Sequence, residues 1–304
     1  MIDLHIHTVN SDGDFKIKEI LEKAELKKLK IISITDHNNI NAYRDLEEVD
    51  ISSAYSGKII PGVELEFCYQ GRLFDMLGYG IDLDVMRKSE IIKRGFVHST
   101  VDKETSILNH LKSICDDLKI SYTKDLKINS AHNMANDVLL DDIIGYEENK
   151  AILDSLGIYD RSTFYRKHFC EPSSPFYIDN TQNAYDVYYV TSLIHKAGGK
   201  AFFAHPFVYG LDNIVSIIDT FREEGIIDGI ECCHRKHNEE QINFLLGYCD
   251  QYGLLKSGGS DFHIEEHYLG YANRGKYALT EEIIDDWVND VPFFYPSSKS
   301  KKYK

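Results

Sequence analysis

Cysteine is sparse and unpatterned in this chain. Its six cysteines (Cys68, Cys115, Cys170, Cys232, Cys233 and Cys249) form no CxxC pair and no regular framework, which points to reduced, mostly buried thiols rather than a disulfide scaffold. Positive charge is also short: 34 Lys and Arg stand against 49 Asp and Glu, a formal net charge of −15. A partner held mainly by its phosphate backbone needs the opposite balance, because Lys and Arg drive such binding by neutralising phosphates. No duplex nucleic acid is therefore expected, whereas a small anionic substrate stays compatible if bound cations offset the charge locally. Long apolar runs are missing as well, which excludes a membrane-spanning helix. Met1 lies one residue from the first apolar run, leaving no room for a signal peptide, and a cytoplasmic protein without a membrane partner is expected.

The chain is rich in short apolar runs that end in imidazoles or carboxylates. Five stand out: Ile2-Asp3-Leu4-His5-Ile6-His7 followed by Ser11-Asp12-Gly13, Ile31-Ile32-Ser33-Ile34-Thr35-Asp36-His37, Ile59-Ile60-Pro61-Gly62-Val63-Glu64, Ala201-Phe202-Phe203-Ala204-His205-Pro206, and Gly258-Gly259-Ser260-Asp261-Phe262-His263. Such a run is how a buried parallel strand looks when its C-terminal end delivers side chains into a site. Spread over most of the 304 residues, five of them imply convergence in space. Imidazoles and carboxylates without Cys suit Zn, Mn or Fe in a hydrolytic centre. His5 and His7 alternate along one strand, so both rings face one side and one cation can take both.

Strands and helices alternate. Ile2 to His7, a helix near Ile17 to Leu29 and Ile31 to Thr35 make a βαβ unit, normally right-handed and parallel. Later strands are expected at Lys200 to Ala204, Ile226 to Cys232 and Leu254 to Ser257, with helices near Asp186 to Ala197, Ile214 to Glu224 and Glu239 to Tyr252. Parallel strands with ligands at their C-terminal ends describe a (β/α) barrel, and 304 residues suit one barrel with an insertion. The stretch from 84 to 177 differs: it is charged, helix-patterned at Ile107, Leu108, Leu111 and Ile114 and again at Val138, Leu139 and Ile143, and strand-like only at Ile120 to Tyr122. It reads as a helical insertion between barrel segments 1–83 and 178–290. The tail, 291–304, ends in a basic run, Ser297 to Lys304, that reads as frayed and solvated.

In order and wording these motifs resemble the PHP (polymerase and histidinol phosphatase) family: D-L-H-x-H-T-x-x-S-D-G, T-D-H-N, G-V-E, A-H-P and G-G-S-D-F-H, with supporting flanks at Leu77-Gly78-Tyr79-Gly80-Ile81-Asp82 and Ala197-Gly198-Gly199-Lys200. The resemblance runs from Met1 to about Gly270 and is nearest to stand-alone trinuclear phosphoesterases acting on nucleotides and other small phosphate esters. It implies an α/β fold, a distorted (β/α)7 TIM-like barrel with the helical insertion as a cap over its mouth. It also implies two or three divalent metal ions (Mn, Fe or Zn). By that matching Glu64 bridges two metals, and Asp261 completes the site of His5 and His7. Asp12, His37 and His263 hold a second metal, while Glu64 and His205 hold a third. Asp36 is expected to orient an imidazole.

Where the family usually has His before Leu-Gly-Tyr, this chain has Asp75. Either Asp75 ligates, shifting preference toward Mn or Mg because a carboxylate is the harder donor, or it misses the metal and the third site is weak. The expected activity is hydrolysis of a small phosphate monoester by metal-activated hydroxide. Glu64 and Asp261 hold the reacting centre, and His234, Arg235 and His237 are candidates to meet the phosphate or the leaving alkoxide. Those three equally read as a solvated polar loop. Alternatives are a histidinol-phosphate-type phosphatase, a phosphodiester or amide hydrolase and, least, a non-catalytic module. The other histidines (His98, His110, His132, His168, His195, His267) read as surface or cap residues. The cap segment at His132 lacks the Arg that relatives carry, so Arg94, Arg161 and Arg166 are the remaining candidates for a second phosphate.

Overall fold

Every residue of Ile2–Ile6 is buried, and so is every residue of Ile31–Ile34, as expected of strands covered on both faces. The computed structural model describes residues 1–96, 100–130, 133–270, 280, 283–284 and 287–294. Its strands are β1 (Ile2–Ile6), β2 (Ile31–Ile34), β3 (Lys58–Tyr69), β4 (Arg72–Tyr79), β5 (Tyr185–Asp186), β6 (Lys200–Phe203), β7 (Gly229–His234) and β8 (Leu255–Gly259). They hydrogen-bond in the order β1-β2-β3-β4-β6-β7-β8, with β5 set off this path against β3. The path nearly closes on itself: Ile6 bridges Phe262 just beyond β8, and the His7 N–H donates to the Phe262 carbonyl at 2.9 Å. The result is the distorted seven-stranded α/β barrel that the motifs imply.

One strand departs from the all-parallel expectation. β4 runs antiparallel to β6, pairing Met76 with Phe203 and Gly78 with Ala201. The cause is local: only Gln70 and Gly71 separate β3 from β4, both with positive φ (50° and 75°), and a two-residue link can only turn the chain back on itself. β7 also begins later than its apolar run suggests, at Gly229, because the Asp228 carboxylate accepts the Ala201 N–H at 2.7 Å and stands at the strand's entrance. His234 thereby closes the strand instead of lying in the loop after it.

Capping side chains fix the covering helices. Asp186 accepts the Tyr189 N–H at the start of Val187–Lys196, and Asn238 with Gln241 forms a reciprocal capping box at the start of Glu239–Tyr252. The first residues of the tail are packed: the Phe294 N–H donates to the Ile59 carbonyl at 2.7 Å, and Val291 is buried. The run Ser297 to Lys304 lies outside the described residues.

The chain divides into two compact units, Met1–Phe67 with Phe74–Phe96 and Tyr185–Lys304, and Cys68–Leu73 with Val97–Ala184. The second unit is helical, with Val101–Leu118, Ala135–Ile143 and Lys150–Leu156 its longest helices. Its core is built from Leu108, Leu111, Leu139, Leu140, Ile143, Phe164 and Phe176. Ile120 to Tyr122 is irregular, not a strand, since Asn149 takes the Ser121 backbone N–H and C=O that a ladder would need.

Candidate metal centre

The side chains that end the apolar runs converge within the first unit. His5 on β1 and His7 just beyond it are fully buried. Asp12 sits on the following loop, which the buried Asp36 carboxylate holds by accepting from the Thr8 N–H (2.7 Å), the Thr8 hydroxyl (2.8 Å) and the Ser11 hydroxyl (2.7 Å). Asp36 thus fixes the loop that carries Asp12, and it reaches an imidazole only indirectly, through the Ser11 hydroxyl that lies 3.4 Å from His7 Nδ1. His37 follows β2 and bridges to Glu64 in β3. Asp75 comes from the middle of β4, where its backbone N–H donates to the Tyr209 hydroxyl at 2.8 Å. His205 follows β6 and Asp261 follows β8, both with left-handed backbone (φ 27° and 49°), an uncommon conformation for residues other than glycine.

Donor atoms fall into four groups, each within 4.8 Å: His7, Asp12, His37 and His263; His5, His7 and Asp261; His5, Glu64 and His205; His37, Glu64 and Asp75. Glu64 is common to two of them and turns its oxygens to different partners. Oε1 lies 3.1 Å from His205 Nε2, while Oε2 lies 3.1 Å from His5 Nε2, 3.2 Å from His7 Nε2 and 3.3 Å from His37 Nδ1. Asp261 Oδ1 is 3.5 Å from His7 Nε2 and 3.7 Å from His5 Nε2. Asp12 Oδ1 is 3.2 Å from His263 Nε2. Asp75 Oδ1 is 3.9 Å from His37 Nδ1, and its Oδ2 accepts from the Tyr209 hydroxyl at 3.3 Å.

The donor set fits divalent cations on three counts. His7 Nε2 is buried without a hydrogen bond although two carboxylates face it, an arrangement a shared cation resolves. Burial, and next the charge of Glu64, hold the Asp75 carboxyl well above the usual range, so positive charge is what this corner lacks. Tautomers agree as well: His5 Nδ1 faces the Glu231 carboxylate at 2.9 Å and His263 Nδ1 faces the Asp261 carbonyl at 2.9 Å, leaving each Nε2 to turn its lone pair inward.

His234 has the opposite tautomer. Its Nδ1 accepts the Lys236 N–H at 3.2 Å, and burial lowers its pKa to about 3, so the ring is neutral and carries its proton on Nε2, 3.3 Å from Asp261 Oδ2. His237 is also buried, with Nδ1 3.0 Å from the Cys232 carbonyl. For both histidines the solvated-loop reading is therefore wrong. Arg235 Nη2 stands 3.2 Å from Asp261 Oδ2, and its Nε is buried without a hydrogen bond.

Four supporting residues have no role assigned by the motifs. The Asp3 carboxylate accepts from the Ser260 N–H (2.9 Å), the Ser260 hydroxyl (2.6 Å) and the Gly270 N–H (2.7 Å), and so holds the backbone before Asp261. Glu231 and Tyr209 hold His5 and Asp75. A charged residue inside an apolar run, as Asp3 and Glu231 are, is the signal that could have found two of them. His267, read as a surface residue, stands beside the centre with Nδ1 3.1 Å from the His263 N–H nitrogen. Arg161 pairs with Asp137 and Asp141, and Arg94 stacks on Tyr185. His98 and His132 lie outside the described residues.

The PHP domain profile matches residues 3–289. The chain belongs to the PHP domain family. It is 26% identical over 270 residues to a 3',5'-nucleoside bisphosphate phosphatase of Chromobacterium violaceum, covering 86% of this chain and 87% of the relative. It is 24% identical over 293 residues to a 5'-3' exoribonuclease of Haemophilus influenzae, covering 94% and 97%. Among solved structures, an amidohydrolase from Chromobacterium violaceum with bound sulfate superposes with a TM-score of 0.65 at 21% identity, covering 98% of each chain, a likeness of fold. Membership in the PHP family and the chemistry of the centre identify a metal-dependent phosphoesterase. Among the described residues no helix is long and apolar enough to cross a membrane.

Proposed function

We propose that this PHP barrel removes phosphate from a small, nucleotide-type phosphate monoester, using two or three divalent cations held by His5, His7, Asp12, His37, Glu64, Asp75, His205, Asp261 and His263. The observation that carries the proposal is Glu64, whose two oxygens face two different imidazole sets, as a bridging carboxylate must. Cations bound there supply an activated water and neutralise charge during in-line attack on phosphorus. Glu64 and Asp261 space the donor groups. His234, neutral with its proton on Nε2, donates a hydrogen bond to a phosphoryl oxygen rather than transferring a proton as imidazolium. Arg235 can fork onto the same phosphate.

Three things support a nucleotide-type ester: the nucleoside bisphosphate phosphatase relative, the net charge of −15, which disfavours long polyanions, and His234 and Arg235, which stand beside Asp261. The exoribonuclease relative, matched over nearly its whole length, favours a second reading in which the same centre cleaves the terminal phosphodiester of short single-stranded RNA.

The test is a product screen under Mn and under Zn over nucleoside 3',5'-bisphosphates, mononucleotides, 5'-phosphorylated RNA oligomers, histidinol phosphate, para-nitrophenyl phosphate, its bis-ester and amides. Inorganic phosphate from nucleotides is the expected result. Mononucleotides released from RNA at higher kcat/KM would favour the second reading, and amide cleavage without phosphate release would overturn both.

A further inference from the structure

Glu231 lies in the middle of β7 with no exposed surface, a costly place for a carboxylate unless its oxygens are fully partnered. They are. Oε1 stands 2.9 Å from His5 Nδ1, and Oε2 accepts the backbone N–H of His205 at 2.8 Å. The first contact fixes the tautomer of His5 and turns its Nε2 lone pair toward Glu64 and Asp261. The second pins the peptide of His205, whose φ of 27° would otherwise be free to relax toward an ordinary backbone and carry the imidazole away from Glu64.

We infer that Glu231 is a positioning residue that sets His5 and His205 together, so that one buried carboxylate governs two of the cation positions while leaving the third alone. The inference rests on the ligand reading proposed above. Its selectivity follows from reach: the described hydrogen bonds of Glu231 go to His5 and His205 and to none of Asp12, His37 or His263. The Asp12 side has its own support in Asp36, through Thr8 and Ser11.

The deciding variant is Glu231→Gln, which keeps the shape but offers one acceptor where two are needed. Whichever way the amide is turned, its NH2 faces either His5 Nδ1–H or the His205 N–H, and one of those two contacts is lost. Equilibrium binding of Mn at stepped free concentrations, read as metal per chain, should show wild-type affinity at the Asp12 position and affinity weakened roughly 10–100-fold at one or both of the positions served by His5 and His205. Bound Co(II) should show a changed absorption spectrum, a signature that a purely packing role would not produce. Unchanged affinities at every position overturn the inference, and so does an equal loss at all of them, which is the signature of general loosening. A wild-type chain that takes up no cation overturns the metal-centre reading and this inference with it. If Glu231→Gln fails to fold, the 15N shifts of the zinc-loaded wild-type imidazoles decide: His5 should carry its proton on Nδ1, and a bare Nδ1 overturns the role given to Glu231.

Discussion

A carboxylate stands at position 75, where the family resemblance leads one to expect His, and it makes the sharpest residue-scale prediction. If Asp75 ligates, Asp75→Ala should release one metal per chain and depress turnover, while Asp75→His should keep activity and move preference toward Zn, since imidazole is the softer donor. Metal content measured beside phosphate release checks both, and an Ala variant with wild-type stoichiometry and rate would leave a two-metal centre as the better description. Asp261→Asn and His7→Ala should each lower turnover by several powers of ten with intact folding, because the strands are anchored by apolar side chains. Near-normal activity with full metal content in either variant would remove that residue from the ligand set. Proton balance gives a third expectation. In the metal-free centre burial alone would lower the His7 imidazole, but the Asp261, Glu64 and Asp12 carboxylates that face it outweigh burial and lift it to about 10, so at pH 7.5 it holds a proton that a cation must expel. Metal affinity should therefore fall as pH falls, and calorimetric titrations in buffers of different ionisation enthalpy should show proton release on binding. A buffer-independent enthalpy would contradict this.

At the scale of elements, the seam between β1 and β8 decides whether the donors meet. Gly259 lies against β1 so closely that a Cβ there would stand 2.4 Å from both the N and the Cβ of His5. Gly259→Ala should force the strands apart, cost about 1–3 kcal/mol as overpacking and weaken metal binding. A melting curve and a metal titration measure the two effects, and an unchanged melting temperature would show that the seam yields freely. The strands here were readable because apolar runs closed by ligands leave little other interpretation. β4 was not, since its direction is set by the two residues Gln70 and Gly71 and not by any periodicity of its own. The side chains that converge were legible through motifs. The supporting roles of Asp3, Glu231 and Tyr209 were not, because a residue that acts by holding another leaves no spacing rule in the sequence, only a polar side chain where an apolar one would be expected.

For the whole molecule, the net charge of −15 and the clustered carboxylates of Asp12, Glu64, Asp75 and Asp261 mean that metal-free folding works against its own repulsion. Cations at about 100 times their dissociation constant should add about 2.7 kcal/mol per site, so manganese should raise the melting temperature and a chelator should reverse it. Identical melting with and without metal would contradict a preformed centre. The reversed direction of β4 carries a last consequence. On the proposed ligand assignment, Glu64, Asp75 and His205 come from β3, from β4 and from the residue two beyond β6, three neighbours in the sheet around the reversed strand β4. A cation among them would act as a rivet through that junction, fixing the hairpin's register, since a slip of one residue along β4 would carry Asp75 to the opposite face. Amide hydrogen exchange along β4 should then slow on loading with metal more than exchange along β2, which would make the protection of those amides a gauge of whether the third position is filled.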